Sequence, residues 1–529
     1  MIETQKNLGC ANCQRRDFIK KLGLLAGFSM VTPELLANLP GPVPASAIGN
    51  KEGAVKVRLI FAMTSLQQQE PDWPNIGFDN APYIQNMTDS LNSKIQDVKF
   101  LPTNVTDSFD VKKMLEQDKA DGIAGYLVMQ MNPWKQAINI IADNSDKPIL
   151  FSRLTYAGNG GWEITVSTIL KKGRKGFAFV SSNDFNDTVE CARAFALLKN
   201  GTTEDFVRQA TETRIKRTPA ATKRTPFEGK LPCLSPEATL AALKGKKILR
   251  LEVTDKATTE LAEKTFGIKV ISVKFDELNN LWKEVSEKRA KPKFDDWKKN
   301  ADKIVNVSDE TLMGVARMYY AMKDLLKKYG ASSITIDCLG GCYKGKLGAY
   351  PCLGFMELQD EGLLGTCEDD LDCNITMMAF NAMTKGRIGY ISDPVIDSSN
   401  RAIIYAHCVS TRRFLGKNMP NCHYEILTHS EDHEGASVRV IAPAGYPVTT
   451  LKFNLERRLL GIHTGVVTGN DYDDRACRTK IVAEVTGDYE ELYHHWDQFG
   501  WHRVTFYGDF AEDAKKLAKK IGFEVVMES

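Results

Sequence analysis

The chain has 529 residues, which at roughly 150 residues per domain leaves room for about three to four domains. A hydrophobic share of 43% with 26% charged residues supports full cores and excludes the disordered and collagen-like classes. Sixty-nine Lys+Arg against 67 Asp+Glu leave a formal charge of +2, so there is no general basic field to hold a nucleic-acid backbone, and no nucleic-acid partner is expected.

At the N-terminus, Arg15-Arg16-Asp17-Phe18-Ile19-Lys20 precede an apolar run at 22–31 and then Ala45-Ser46-Ala47. That is the order of an export signal: a basic region, a short apolar region and a small-x-small processing site. The run is too short to cross a bilayer. Arg15 and Arg16, followed by Phe18 and Lys20, resemble a twin-arginine signal. The resemblance implies passage of the folded chain through the Tat translocation machinery to the periplasm, with 1–47 either removed or kept as an anchor.

Beyond residue 47, Val55-Lys56-Val57-Arg58-Leu59-Ile60-Phe61 alternates as a strand, and the apolar runs at 122–128 and 148–151 read as buried strands separated by helix-compatible stretches. The pattern repeats with strands at 247–253 and 269–273. A long helix follows, carrying Leu312, Val315, Tyr319, Met322 and Leu326 at helical spacing and stopped by Gly330. Strands alternating with helices predict parallel sheets covered on both faces. Between the two units, Lys216-Arg217-Thr218-Pro219 recurs as Lys223-Arg224-Thr225-Pro226 and reads as a solvated surface insert. The expected architecture is α/β: two doubly wound parallel-sheet domains, 48–165 and 166–335, followed by a mixed, β-rich α/β domain over 336–529.

Chemistry concentrates in that last region. All eight histidines lie from His407 onward, and seven acids fall between Glu357 and Asp372. Gly340-Gly341-Cys342-Tyr343-Lys344-Gly345-Lys346-Leu347 comes close to a phosphate-binding loop. Leu347, however, replaces the hydroxyl that must meet Mg²⁺, and Pro351 falls in the first turns of the helix such a loop must open, so a tight turn is the better reading. Cys338, Cys342, Cys352, Cys367 and Cys373 contain no repeated Cys-x₂-Cys pair, and core thiols or a disulfide suit them better than a zinc or iron–sulfur site.

The third constellation is Cys367-Glu368-Asp369-Asp370, then a helical stretch at 374–383, then a strand from Gly389 ending in Asp393-Pro394, and late in the chain Gly500-Trp501-His502 leading into another strand. These residues resemble the C-terminal domains of L-fucose isomerase, L-arabinose isomerase and related sugar isomerases. By that resemblance Glu368, Asp393 and His502 bind one divalent cation, typically Mn²⁺, with Mg²⁺ as the second choice. It further implies a homo-oligomer whose pockets borrow residues from neighbouring subunits, and a small carbohydrate as substrate.

The residues support the same chemistry without the family name. Two carboxylates and one imidazole form an oxygen-rich site better suited to Mn²⁺ or Mg²⁺ than to structural zinc. Aldose–ketose isomerisation, or epimerisation, needs a base beside a carbonyl, an acid at the neighbouring carbon and stabilisation of the enediol between. The resemblance assigns the proton transfer of a cis-enediol mechanism to Glu368 and Asp393. His429 in Thr428-His429-Ser430-Glu431-Asp432-His433 is a candidate on the substrate side, and the resemblance adds His407 and Arg478 there. A carbohydrate-binding protein that keeps the metal as a ligand anchor, and a metal-assisted hydrolase or lyase, are the competing classes.

Overall fold

A computed structural model of the chain describes residues 53–106, 108–253 and 256–529. The Arg15-Arg16 segment lies outside them. Nineteen strands are assigned among the described residues, and they are numbered here in chain order.

β1 (Val55–Ala62), β2 (Val98–Val105), β3 (Gly125–Gln130), β4 (Ile149–Arg153) and β5 (Phe177–Phe179) form a parallel sheet in the order β2-β1-β3-β4-β5. Alternation along β1 decides which face each residue serves. Val55, Val57, Leu59 and Phe61 pack in one core with Met87 and Leu91 of the helix Ala81–Lys94, whereas Ile60 and Ala62 share the opposite core with Val111 and Met114 of the helix Ser108–Ala120. Both faces of the sheet are therefore covered, and β3 and β4 are buried along their whole length.

The second unit repeats the plan. β6 (Lys247–Leu251), β7 (Lys269–Val273), β9 (Ser333–Ile336) and β10 (Leu364–Thr366) form a parallel sheet in the order β10-β9-β6-β7. The helix Asp309–Tyr329 buries Leu312, Val315, Tyr319, Met322 and Leu326, as their spacing predicts. The Ser308 hydroxyl accepts from the Thr311 N–H to start this helix, and Gly330 ends it in the left-handed region at φ 59°. The first sheet runs past residue 165 through β5, and the second runs past residue 335 through β10, which joins it from within the segment expected to open the last domain.

The remaining strands build an antiparallel barrel. β11 (Tyr390–Asp397), β12 (Ala402–His407), β15 (Pro447–Asn454), β16 (Leu459–Asn470), β17 (Thr479–Thr486) and β18 (Arg503–Tyr507) pair in the order β15-β18-β11-β12-β17-β16, and β16 pairs back with β15 to close the ring. Closure removes the exposed edges that such a sheet would otherwise present. β19 (Glu524–Met527) adds to β16 in parallel. A small sheet of β14 (Ser437–Val440), β13 (Tyr424–Leu427) and β8 (Lys303–Val305) ties the second unit to the barrel domain.

Two sequence expectations change in detail. β11 continues through Pro394 to Asp397, so Asp393 lies inside the strand and not at its end. The proline is tolerated because pairing with β18 stops at Ser392, which leaves its missing N–H on an unpaired side. The Thr/Pro insert is largely exposed yet strapped to the barrel: the Thr222 hydroxyl and backbone N–H and the Arg224 guanidinium all reach the Glu484 carboxylate. The glycine run after β9 forms a one-turn helix, Cys338–Cys342, whose Gly340 N–H donates to Asp337, in keeping with a tight turn. Among the described residues no helix is long and apolar enough to cross a membrane.

Candidate metal centre

Sheet register brings two of the predicted residues together. β11 and β18 run antiparallel with Ser392 opposite Arg503, so Asp393, one step on, lies beside His502, one step before. On the other flank of β11, β12 ends at His407, next to the Asp393–Ala406 pair. Glu368 arrives from the second unit, at the carboxyl end of β10. It and Asp369 both hold positive φ, 58° and 52°, a costly backbone for residues with side chains. Arg250 on β6 stabilises this turn by binding both oxygens of Asp369, at 2.7 Å from Nη2, while the Asp369 N–H donates to the Ile336 carbonyl. The turn in this way aims Glu368 away from its own sheet and at the barrel.

Ligating atoms of Glu368, Asp393, His407 and His502 all lie within 4.8 Å of one another. His502 Nε2 is 3.2 Å from Glu368 Oε2 and 3.3 Å from Asp393 Oδ1, and His407 Nε2 is 3.8 Å from Glu368 Oε1 and 4.0 Å from Asp393 Oδ2. Burial pushes the Asp393 carboxyl up to about 7, the Glu368 charge adding and His502 opposing. Burial would raise Glu368, but the His502 imidazole beside it outweighs this and holds the carboxyl below its usual range. Burial would lower His502, but Asp393, Asp370 and Glu368 together hold it well above its usual range. His407 is lowered by burial and stays neutral.

The donor set fits one hard divalent cation. Two carboxylates and an imidazole converge, and Nε2 of His502 and Nε2 of His407 are both buried without a hydrogen-bond partner, which is costly unless something else occupies the space they face.

A cavity of about 580 Å³ opens nearby; none of the four clustered residues lines it, and it is linked to them through wall residues that lie within reach of the Glu368 charge. Thr64 and Ser65 follow β1, Trp134 follows β3, and Leu339, Gly340, Tyr343 and Lys344 follow β9. These are the carboxyl ends of strands where each parallel sheet reverses its order, the usual crevice for ligands in such folds. Asp72 and Glu431 stand on the cavity wall. Burial raises Asp72 to about 7 and Glu431 to about 8, and in both the nearby Glu368 charge adds to the effect. Tyr343 donates its hydroxyl to Glu431 at 2.5 Å.

The other predicted residues fall differently. His429 is buried outside the four-residue group, against the rings of Tyr343 and Tyr350, with Nδ1 3.3 Å from Asp432. Arg478 donates from Nε to the Thr428 carbonyl at 2.8 Å, which holds the His429 segment in place, and it is not among the residues lining the cavity. Sequence reading assigned no role to Asp370, Lys452, Asp72 or Glu431. A lysine within the apolar strand Leu451-Lys452-Phe453, and Glu431 between two histidines, were the available signals. Asp72 carried none, because only the fold brings it near residues some 300 positions later.

No family model matches the chain. Over 144 residues, 27% of this chain and 32% of the relative, it is 28% identical to the sulfoquinovose isomerase of Alkalicoccus urumqiensis. Over 225 residues, 42% of this chain and 49% of the relative, it is 22% identical to the sulfoquinovose isomerase of Priestia megaterium. The matches thus span 32% to 49% of the length of these curated relatives. A solved carbohydrate transporter from Acidothermus cellulolyticus, in complex with myo-inositol, aligns at 12% identity over 56% of this chain and 79% of that one, with a TM-score of 0.16, too low to bear on the fold. In sequence, the chain is similar over part of its length to enzymes named as sugar isomerases.

Proposed function

We propose that the chain is an exported, divalent-metal-dependent isomerase of sugars that interconverts aldose and ketose, or epimers, through a cis-enediol. The observation that carries this reading is the convergence of Glu368, Asp393 and His502 from two different domains, together with a cavity large enough for a monosaccharide whose wall residues Asp72 and Glu431 feel the Glu368 charge. The partial similarity to sulfoquinovose isomerases supports the same reaction class.

Glu368, Asp393 and His502 would hold the cation, with Mn²⁺ the first choice. When bound, the ion would supply positive charge against the oxygens of the reacting carbons. The remaining work falls to the chain. Glu368 and Asp393 face one point from different elements, so a single carboxylate can take the proton from the carbon beside the carbonyl and return it to its neighbour on the same face. His407 receives the Cys408 N–H on Nδ1 at 2.9 Å, so its neutral ring carries a proton on Nε2 and offers a hydrogen bond into the site.

The test is an aldose panel, sulfonated and unsulfonated, incubated in D₂O with the Mn²⁺-loaded protein. An isomerised product carrying solvent deuterium at the exchanged carbon supports the reading. Tight binding without turnover would leave a binding protein, and cleavage without isomerisation a hydrolase or lyase. Delivery to the periplasm through the Tat machinery is part of the proposal, and changing Arg15 and Arg16 together to Lys should leave the protein in the cytoplasm. Assembly as a homo-oligomer is also part of it, and sedimentation of the full chain measures that directly.

A further inference from the structure

The cluster holds two imidazoles with opposite surroundings. His407 accepts a backbone N–H on Nδ1. His502 faces a carboxylate oxygen on Nδ1, Asp370 Oδ2 at 2.9 Å, and an acceptor there requires the proton to be on Nδ1. The lone pair of His502 is then left on Nε2, the atom 3.2 Å from Glu368 and 3.3 Å from Asp393.

Asp370 has little freedom to do anything else. Its Oδ1 accepts the Cys373 N–H at 2.8 Å and caps the helix Leu371–Met383, and its Oδ2 takes the Lys452 ammonium at 2.6 Å as well as His502. Both oxygens are committed, so rotation of the carboxyl would break one set of contacts or the other. Although Asp370, Cys373 and His502 also lie close enough together to hold an ion, the ammonium on Oδ2 makes Asp370 a support and not a ligand. Lys452 sits on the barrel strand β15 and Asp370 on a helix following the second parallel sheet, so the contact also fixes one domain against the other at the site.

We propose that Asp370, clamped by Lys452 and by the helix it caps, is the positioning residue that sets the His502 tautomer, making His502 a cation ligand through Nε2 while His407 remains a hydrogen-bond donor. The inference rests on the metal-dependent reading above. A carboxylate behind a ligating histidine raises its basicity and fixes its ring, and removing such a partner typically weakens metal binding by about 10–100-fold.

The experiment is calorimetric titration of MnCl₂ into the full chain and into the double variant Asp370→Ser with Lys452→Met. Serine keeps a cap for the helix and methionine avoids an unpaired buried amine, but the imidazole loses its carboxylate. Circular dichroism confirms folding. A 10–100-fold weaker Mn²⁺ affinity in the folded double variant supports the proposal, and an affinity within threefold of the unaltered chain overturns it. Should the double variant not fold, Lys452→Met alone, which unclamps Asp370 but leaves the cap, is expected to weaken Mn²⁺ binding severalfold, and unchanged affinity again overturns the proposal. No Mn²⁺ binding by the unaltered chain overturns both this inference and the proposed function, whereas binding that ignores both variants overturns this inference alone.

Discussion

Two buried histidine–carboxylate clusters lie within one residue of each other along the chain. In the barrel interior, His463 donates from Nδ1 to Glu528 at 2.9 Å and accepts on Nε2 from the Tyr405 hydroxyl at 2.9 Å, and the Glu528 carboxylate is also held by Arg503 at 2.6 Å. None of these polar atoms lacks a partner. In the candidate metal centre, His502 has Nδ1 satisfied and Nε2 without a partner, between two carboxylates. The residue types are nearly the same, and satisfaction separates them: a closed network specifies structure, and an open one keeps room for a ligand. The closed network also serves the open one. Arg503, pinned by Glu528, donates Nη1 to the His502 carbonyl at 3.0 Å, so the structural cluster holds the backbone of the functional one.

The comparison breaks most visibly if the open cluster loses a carboxylate. Glu368→Gln should fold normally while turnover drops about a hundredfold to ten-thousandfold, measured as initial rate on the substrate found by the panel. Full turnover in this variant would remove Glu368 from the site. In the closed cluster the same change acts on stability. Glu528→Gln leaves the buried Arg503 guanidinium short of its partner and should cost about 3–5 kcal/mol in urea unfolding. A loss under about 1 kcal/mol would show that the network does not hold the barrel.

Acid sharpens the contrast. Arg503 and His463 overcome burial and hold the Glu528 carboxyl down to about 2, below its ordinary 4.5. A carboxyl depressed in the folded state stabilises above its unfolded value, and that contribution fades as pH falls through the folded one. The gap in stability between the unaltered chain and Glu528→Gln should therefore be full above about pH 4.5 and narrow toward pH 2. A gap that widened in acid would reverse the sign. The smallest effect is expected from Tyr405→Phe, which strips His463 Nε2 of its hydroxyl and should cost about 1–3 kcal/mol with Mn²⁺ affinity unchanged.

Much of the architecture was legible because it is written in local periodicity. Strands buried on both faces, such as Gly125–Gln130, read as largely apolar runs, and the helix Asp309–Tyr329 displays its stripe and its C-terminal glycine in sequence. The order of Glu368, Asp393 and His502 was legible as a motif, and the structure brings their side chains together. Closure of the barrel was not legible, since it depends on β15 returning to β16, a pairing no short window encodes. Asp393 looked like the end of a strand because proline usually stops one, and only the absence of a neighbour beyond Ser392 on one side lets β11 continue. Asp370 was visible in the Cys367-Glu368-Asp369-Asp370 motif, but nothing local assigned it a role. Its role depends on Lys452, which is 82 residues away in sequence.

The most direct test is diffraction at the manganese absorption edge from crystals of the full chain grown with MnCl₂. We expect one anomalous peak per chain, bonded to carboxylate oxygens of Glu368 and Asp393 and to Nε2 of His502. Mn²⁺ found only at other residues, or a saturated crystal with no peak between these three side chains, would contradict the account.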